Sequence, residues 1–159
     1  MDKKGLTLQV PKWYALRTCS KRENIVVKLL EMEGITCYLP RAEVRRVWSD
    51  RIKRLEFPLL PSMVLVRCPE LKLRVAESAK GVVEVVRRDG VPVEVLPESI
   101  EALRDFEVQA KGNFLVDGSV LDEIMGQGWT KKDRRVMMVD ERYSYLHIPE
   151  LSLILCLKK

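Results

Sequence analysis

The chain has 159 residues, 28 of them Lys or Arg and 23 Asp or Glu, which leaves a net charge of +5, and 47% are hydrophobic. That balance suits a packed core and argues against a disordered chain, and no apolar run nears the roughly 18 residues of a membrane span. The opening residues, Met1-Asp2-Lys3-Lys4-Gly5-Leu6, lack the apolar core of a secretory signal, so a cytoplasmic protein is expected, with no membrane partner.

In chain order, Lys12-Trp13-Tyr14-Ala15-Leu16-Arg17-Thr18 reads as a short aromatic-led strand. Ser20-Lys21-Arg22-Glu23 then has the spacing of a capping box. Behind it Ile25, Val26, Leu29, Leu30 and Met32 recur at helical spacing, and Gly34 supplies a left-handed stop. Residues 35–39 read as a strand closed by Pro40. Between Arg41 and Arg54, Val44, Val47, Trp48 and Ile52 alternate with basic residues around the turn-like pair Ser49-Asp50. Leu55, Phe57 and Leu59 continue the alternation into the apolar run Met63-Val64-Leu65-Val66. The expectation is a basic β-hairpin feeding a buried central strand.

Pro69 is placed to open a second helix with Leu71, Val75 and Ala79 on one face and Gly81 as its stop. Asp89-Gly90, flanked by residues 82–87 and 91–95, is a strong hairpin signal. Pro97 opens a third helix carrying Ile100, Leu103 and Phe106. The polar stretch Gln109-Ala110-Lys111-Gly112-Asn113 breaks the pattern, and only strand-like runs follow, at 114–116, 120–124, 134–139, 143–148 and 151–157. The expected fold class is α+β. An N-terminal extension at 1–11 precedes an antiparallel sheet flanked by helices at 12–107; a linker at 108–113 then leads to a small β-barrel at 114–159.

The chemistry-bearing residue types exclude several function classes. Cys19, Cys37, Cys68 and Cys156 form no C-x-x-C pair, and His147 is the only imidazole, so no zinc site or other cofactor is expected. Each cysteine adjoins an apolar run and reads as a small buried hydrophobe. No phosphate loop, nucleophile elbow or spaced carboxylate pair is present, which argues against an enzyme. The hairpin is the clearest electrostatic feature, with six basic and two acidic residues between Arg41 and Arg54. It reads either as an edge hairpin protected by charge or as a phosphate-tracking arm on which Trp48 stacks a base. Lys21 and Arg22 are candidates to extend such a patch. By strand parity Leu59 belongs with the core and Leu60 on the opposite face, as an apolar spot for a partner.

Several ordered motifs resemble the N-terminal domain of the NusG family. They are Trp13-Tyr14-Ala15-Leu16-Arg17, Tyr38-Leu39-Pro40, Arg46-Val47-Trp48-Ser49-Asp50-Arg51, Phe57-Pro58-Leu59-Leu60-Pro61, Lys80-Gly81-Val82-Val83 and Pro97-Glu98-Ser99-Ile100-Glu101-Ala102-Leu103. The resemblance implies a non-catalytic transcription elongation or antitermination factor. Such a factor binds the clamp helices of the RNA polymerase β′ subunit and contacts DNA near the transcription bubble. The Trp-Ser-Asp-Arg hairpin is similar to that of the specialised paralogues of RfaH and UpxY type. Carried over by position, the polymerase-facing residues are Arg17, Leu60, Pro61, Met63, Lys80 and Val82. The nucleic-acid-facing ones are Lys21, Arg22, Arg45, Arg46, Trp48, Arg51, Lys53 and Arg54. The chain departs from the family in having Leu60 before Pro61, in place of an aromatic, and Ser62-Met63 after it, in place of Gly or Asn and then Tyr.

Arg134-Arg135-Val136-Met137-Met138-Val139 and Leu146-His147-Ile148-Pro149 resemble the closing half of the family's KOW module. Residues 116–126 lack its usual glycine-spaced motif. The module implies Rho or a small-subunit ribosomal protein as partner. In RfaH it also folds as a helical hairpin, whereas residues 136–139 and 153–157 here favour strands. The alternative reading is a general RNA-binding or ribosome-associated module.

Overall fold

The computed structural model describes residues 10–111, 114–115, 136–140 and 143–158. The elements in chain order are β1 (Lys12–Thr18), α1 (Glu23–Met32), β2 (Thr36–Tyr38), β3 (Arg41–Val47), β4 (Ile52–Pro58) and β5 (Met63–Cys68). A 3-10 turn (Glu70–Lys72) leads into α2 (Leu73–Glu77), followed by β6 (Val82–Val85), β7 (Arg87–Arg88), β8 (Val91–Pro92), β9 (Glu94–Val95) and α3 (Pro97–Gln109). The C-terminal strands are β10 (Phe114–Leu115), β11 (Val136–Asp140), β12 (Tyr143–Ile148) and, after a 3-10 turn at Pro149–Leu151, β13 (Leu153–Lys158). This is an α+β fold. The chain forms two compact units, Met1–Leu39 with Leu60–Pro97 and Pro40–Leu59 with Glu98–Lys159.

In the first unit the strands run in the order β2-β5-β1-β6, all pairs antiparallel, with β9 also on β1. Alternation decides which residues meet. Tyr14 and Leu16 of β1 share a face with Val64, Val66 and Cys68 of β5 and Val85 of β6. Against that face pack Val26 and Leu30 of α1, one turn apart, and Leu73 and Ala76 of α2. The central strand is buried as expected, with Val64, Leu65 and Val66 fully out of solvent. The Asp89-Gly90 turn forms as well: both residues have positive φ, 54° and 78°, which a two-residue turn of the mirror-image type requires.

Two local expectations fail, for local reasons. The capping box does not form: Arg22 is the N-cap and no side chain caps α1. Glu23 is instead buried, and its Oε1 accepts the Ser62 amide at 2.9 Å. The second helix buries Leu73 and Ala76, not Leu71 and Val75, which are exposed. Its first turn is 3-10, and the tighter winding shifts the phase of every later side chain.

Gly81 has φ +99°, and a Cβ there would lie 3.0 Å from Val26 Cγ2. Gly81→Ala is expected to cost about 1–3 kcal/mol from backbone strain alone and to lower the thermal midpoint by roughly 5 °C, read by circular dichroism. An unchanged melt would show that the turn relaxes.

The second unit holds the β3–β4 hairpin, α3 and a C-terminal antiparallel sheet of order β10-β13-β12-β11. Ile100, Leu103 and Phe106 of α3 are buried as expected, and the helix continues to Gln109, into the segment read as a linker. Two links tie α3 to the hairpin base: the Arg41 amide donates to Glu107 Oε1, and Glu43 bridges Lys111 through the backbone. At its other end Ser99 Oγ donates to Glu150 Oε2 at 2.5 Å. Strands cover 136–140 and 153–158, as their β-branched and apolar composition suggests. The expected strand at 120–124, the 116–126 departure from the family pattern and Trp129 lie outside the described residues.

Cys68 and Cys156 are buried and Cys37 is half-buried; burial raises all three thiols, Cys37 to about 12. Cys19 corrects the expectation of buried cysteines, being exposed in the turn after β1. Tyr14 is pushed up to about 12, chiefly by burial.

Candidate functional site

One end of the first unit's sheet gathers most of the residues carried over as polymerase-facing. In the register Arg17 of β1 stands between Met63 of β5 and Glu84 of β6. The three share the face opposite α1 and α2. Arg17 Nη1 lies 2.9 Å from Glu84 Oε1; both side chains are largely exposed, so the pair orients the guanidinium more than it stabilises the fold.

The rim beside them is fixed by main chain. Ser62 takes the left-handed conformation (φ 59°). Its carbonyl accepts the Thr18 amide at 2.9 Å while its own amide donates to Glu23. The Cys19 amide donates to the Gly81 carbonyl at 2.8 Å. The segment after Pro61 and the turn before β6 are thereby both tied to the end of β1.

Around this frame Pro61 and Lys80 are exposed, and Met63 is half-buried. Val82 is half-buried but packs against the helix-side core, so it does not share the Arg17 face. Leu60 corrects the parity argument: it is only 2% exposed, and Leu59 is buried too. Strand β4 ends at Pro58, and a bend at 59–60 breaks the alternation on which that argument depends. Lys21 and Arg22, exposed at the entrance to α1, border the same rim.

The hairpin in the second unit carries the remaining candidates. Its strands pair from Arg41↔Pro58 to Val47↔Ile52, placing Arg45 opposite Arg54 and Arg46 opposite Lys53. Reciprocal backbone hydrogen bonds between Trp48 and Arg51 close the tip around Ser49-Asp50. Near the base the charges are internally matched: Arg41 Nη1 lies 3.5 Å from Glu56 Oε2, and Arg54 Nε lies 3.4 Å from Glu43 Oε1. Nearer the tip, Arg51 and Lys53 are exposed and make no ion pair among the described residues. The Lys53 ammonium sits 4.8 Å from the centroid of the Trp48 ring, and Trp48 is 48% exposed.

Sequence reasoning missed Glu23, Ser62 and Glu84, which build the rim and orient Arg17. Glu23 was visible only as a helix-start acid, and the Arg17–Glu84 pairing follows only once the register is known. Among the described residues no three His, Cys, Asp or Glu side chains converge as metal ligands, and no helix is long and apolar enough to cross a membrane.

A family model described as "Transcription termination factor nusG" matches residues 11–104, more than half of the chain. No curated protein matches the sequence. A solved structure described as "Domain interaction in Thermotoga maritima NusG" aligns at 18% identity with a TM-score of 0.46, covering 93% of each chain. The protein is thus one of the transcription elongation and termination factors, a class whose members act without catalysis and bind RNA polymerase. Within that class, the chain belongs to the NusG family.

Proposed function

We propose that this protein binds the β′ clamp helices of RNA polymerase through the end of the β5-β1-β6 sheet and contacts DNA through the β3–β4 hairpin, suppressing pausing or termination as the RfaH and UpxY paralogues do. The observation that carries this reading is the convergence of Arg17, Met63, Pro61 and Lys80 around a rim held by the Ser62 and Gly81 backbone groups. A cationic and polarisable apolar surface on a rigid frame suits an amphipathic helical partner, and methionine adapts to its irregular side chains. The substitution of Met63 for the family's aromatic keeps the surface apolar with less ring area. The hairpin supplies unpaired positive charge where a nucleic-acid backbone would run. Residues 114–159 supply a further contact, with Rho or a small-subunit ribosomal protein as the partner class.

Capture of purified RNA polymerase tests the first contact. Met63→Asp and Lys80→Glu are each expected to weaken capture about tenfold or more, with an unchanged circular dichroism melt for Lys80→Glu, whose side chain is exposed, and only a small drop for the half-buried Met63. Full capture by both variants would reject this face.

A further inference from the structure

Helix α1 turns one face to the sheet and carries a second apolar line on the other. Val26 and Leu30 are fully buried in the core beneath it. On the outward side Ile25, Leu29 and Met32 recur at the i, i+4, i+7 spacing of a single helical stripe. Ile25 is 44% and Met32 83% exposed, and Leu29 is half-buried.

The charges beside that stripe run against the helix dipole, which favours anions at the N-terminus and cations at the C-terminus. Exposed Arg22 stands at the N-cap, while Glu31 and exposed Glu33 close the C-terminal turn, which holds no basic residue. The one acid of the first turn, Glu23, is turned inward to the Ser62 amide. Arg22, Lys28, Glu31 and Glu33 make no ion pair among the described residues. At about 100° of rotation per residue, Arg22 and Glu33 fall along one side of the stripe, and Lys28 and Glu31 along the other.

We infer that the outer face of α1 is a self-association surface, on which two copies of the chain pair with their helices antiparallel. Reversal about a two-fold axis through the middle of the helix sets Ile25 against Met32 of the other copy. The two Leu29 side chains then meet near the axis. On one flank Arg22 reaches Glu33 of the other copy, and on the other flank Lys28 reaches Glu31, each pair occurring twice by symmetry. Every one of these pairs neutralises a glutamate that its own helix dipole opposes.

Charge complementarity selects this occupant. A uniformly acidic partner would meet Glu31 and Glu33, a uniformly basic one would meet Arg22 and Lys28, and a parallel copy would set like charges together. The ten-residue helix is about 15 Å long and by itself buries less than the roughly 1,200 Å² of a stable interface. The association is therefore weak, with a dissociation constant on the order of 100 µM. It requires neither polymerase nor nucleic acid.

Sedimentation velocity on the full chain, from about 10 to about 500 µM at low salt, tests the pairing. The wild type is expected to pass from monomer towards dimer over that range, and about 0.5 M salt should weaken the dimer several-fold. Ile25→Ser with Met32→Ser should weaken association about tenfold or more and leave the circular dichroism melt unchanged, since both side chains are exposed. Arg22→Glu and Glu33→Arg should each weaken it about tenfold by setting like charges together; combined, they should restore it to within about threefold of the wild type. Independently of any variant, the wild-type amide signals that shift with concentration should cluster at residues 22–33.

A wild type that stays monomeric at the top of the range would overturn the pairing. Undiminished association by the Ile25 and Met32 double variant, or concentration-dependent shifts centred elsewhere, would overturn it by assigning the dimer to another surface. Two weakened charge variants with no rescue on combination would reject the antiparallel geometry and with it the inference. A monomeric chain whose Ile25 and Met32 double variant loses polymerase capture would overturn it by giving the stripe to the polymerase.

Discussion

Leu60→Asp should destabilise the whole protein and not simply remove a contact. At 2% exposure the new carboxylate would lie out of water, in a place that an apolar side chain now fills. A buried charge without a partner costs about 3–5 kcal/mol, against a total stability of about 5–15 kcal/mol for an ordinary domain. The thermal midpoint is therefore expected to fall by about 10 °C or more in a circular dichroism melt. Loss of polymerase capture by this variant would report unfolding, which is why Met63 and Lys80 are the informative positions. A wild-type melt for Leu60→Asp would mean that the side chain turns outward in solution and would return Leu60 to the partner-facing set.

Reversal of Arg51 and Lys53 together should have the largest effect on DNA binding. Each phosphate contact contributes about −0.9 to the slope of log affinity against log salt, so losing two should flatten the slope by about 1.8. Between 50 and 200 mM salt the wild type would then lose about twelvefold more affinity than the double variant, on top of a weaker starting affinity for the variant. Arg41→Gln provides the contrast. Its guanidinium is already matched by Glu56, so its slope is expected to change by less than about half a unit. Equal slopes for the wild type and the Arg51/Lys53 variant, measured by fluorescence anisotropy across salt, would remove the tip from the phosphate path.

Elements defined by a strong local rule were legible from sequence. The basic hairpin, the buried strand Met63–Cys68, the Asp89-Gly90 turn and the apolar face of α3 all follow from periodicity or turn chemistry acting over a few residues. What failed was phase carried across a break. Parity counted through Pro58 misplaced Leu60, and helical spacing counted through a 3-10 turn misplaced Leu71 and Val75. Glu23 shows a second limit: its carboxylate could serve the local amide of a capping box or a distant one at Ser62, and only the tertiary fold chooses. The candidate site was half legible. The residue types were readable, while the contacts that orient them span 39 residues for Glu23–Ser62 and 67 for Arg17–Glu84.

The rim that joins the end of β1 to Ser62 and Gly81 is assembled mostly from peptide groups, with Glu23 as its one side-chain member. Its outline is consequently almost independent of what Pro61 and Met63 carry outward. A chain built this way is free to exchange Pro61 or Met63 for side chains of another size or polarity and still present them from the same positions. In its proposed polymerase-facing role, the rim works as a socket with replaceable fittings, retuned by two or three substitutions with no change in backbone.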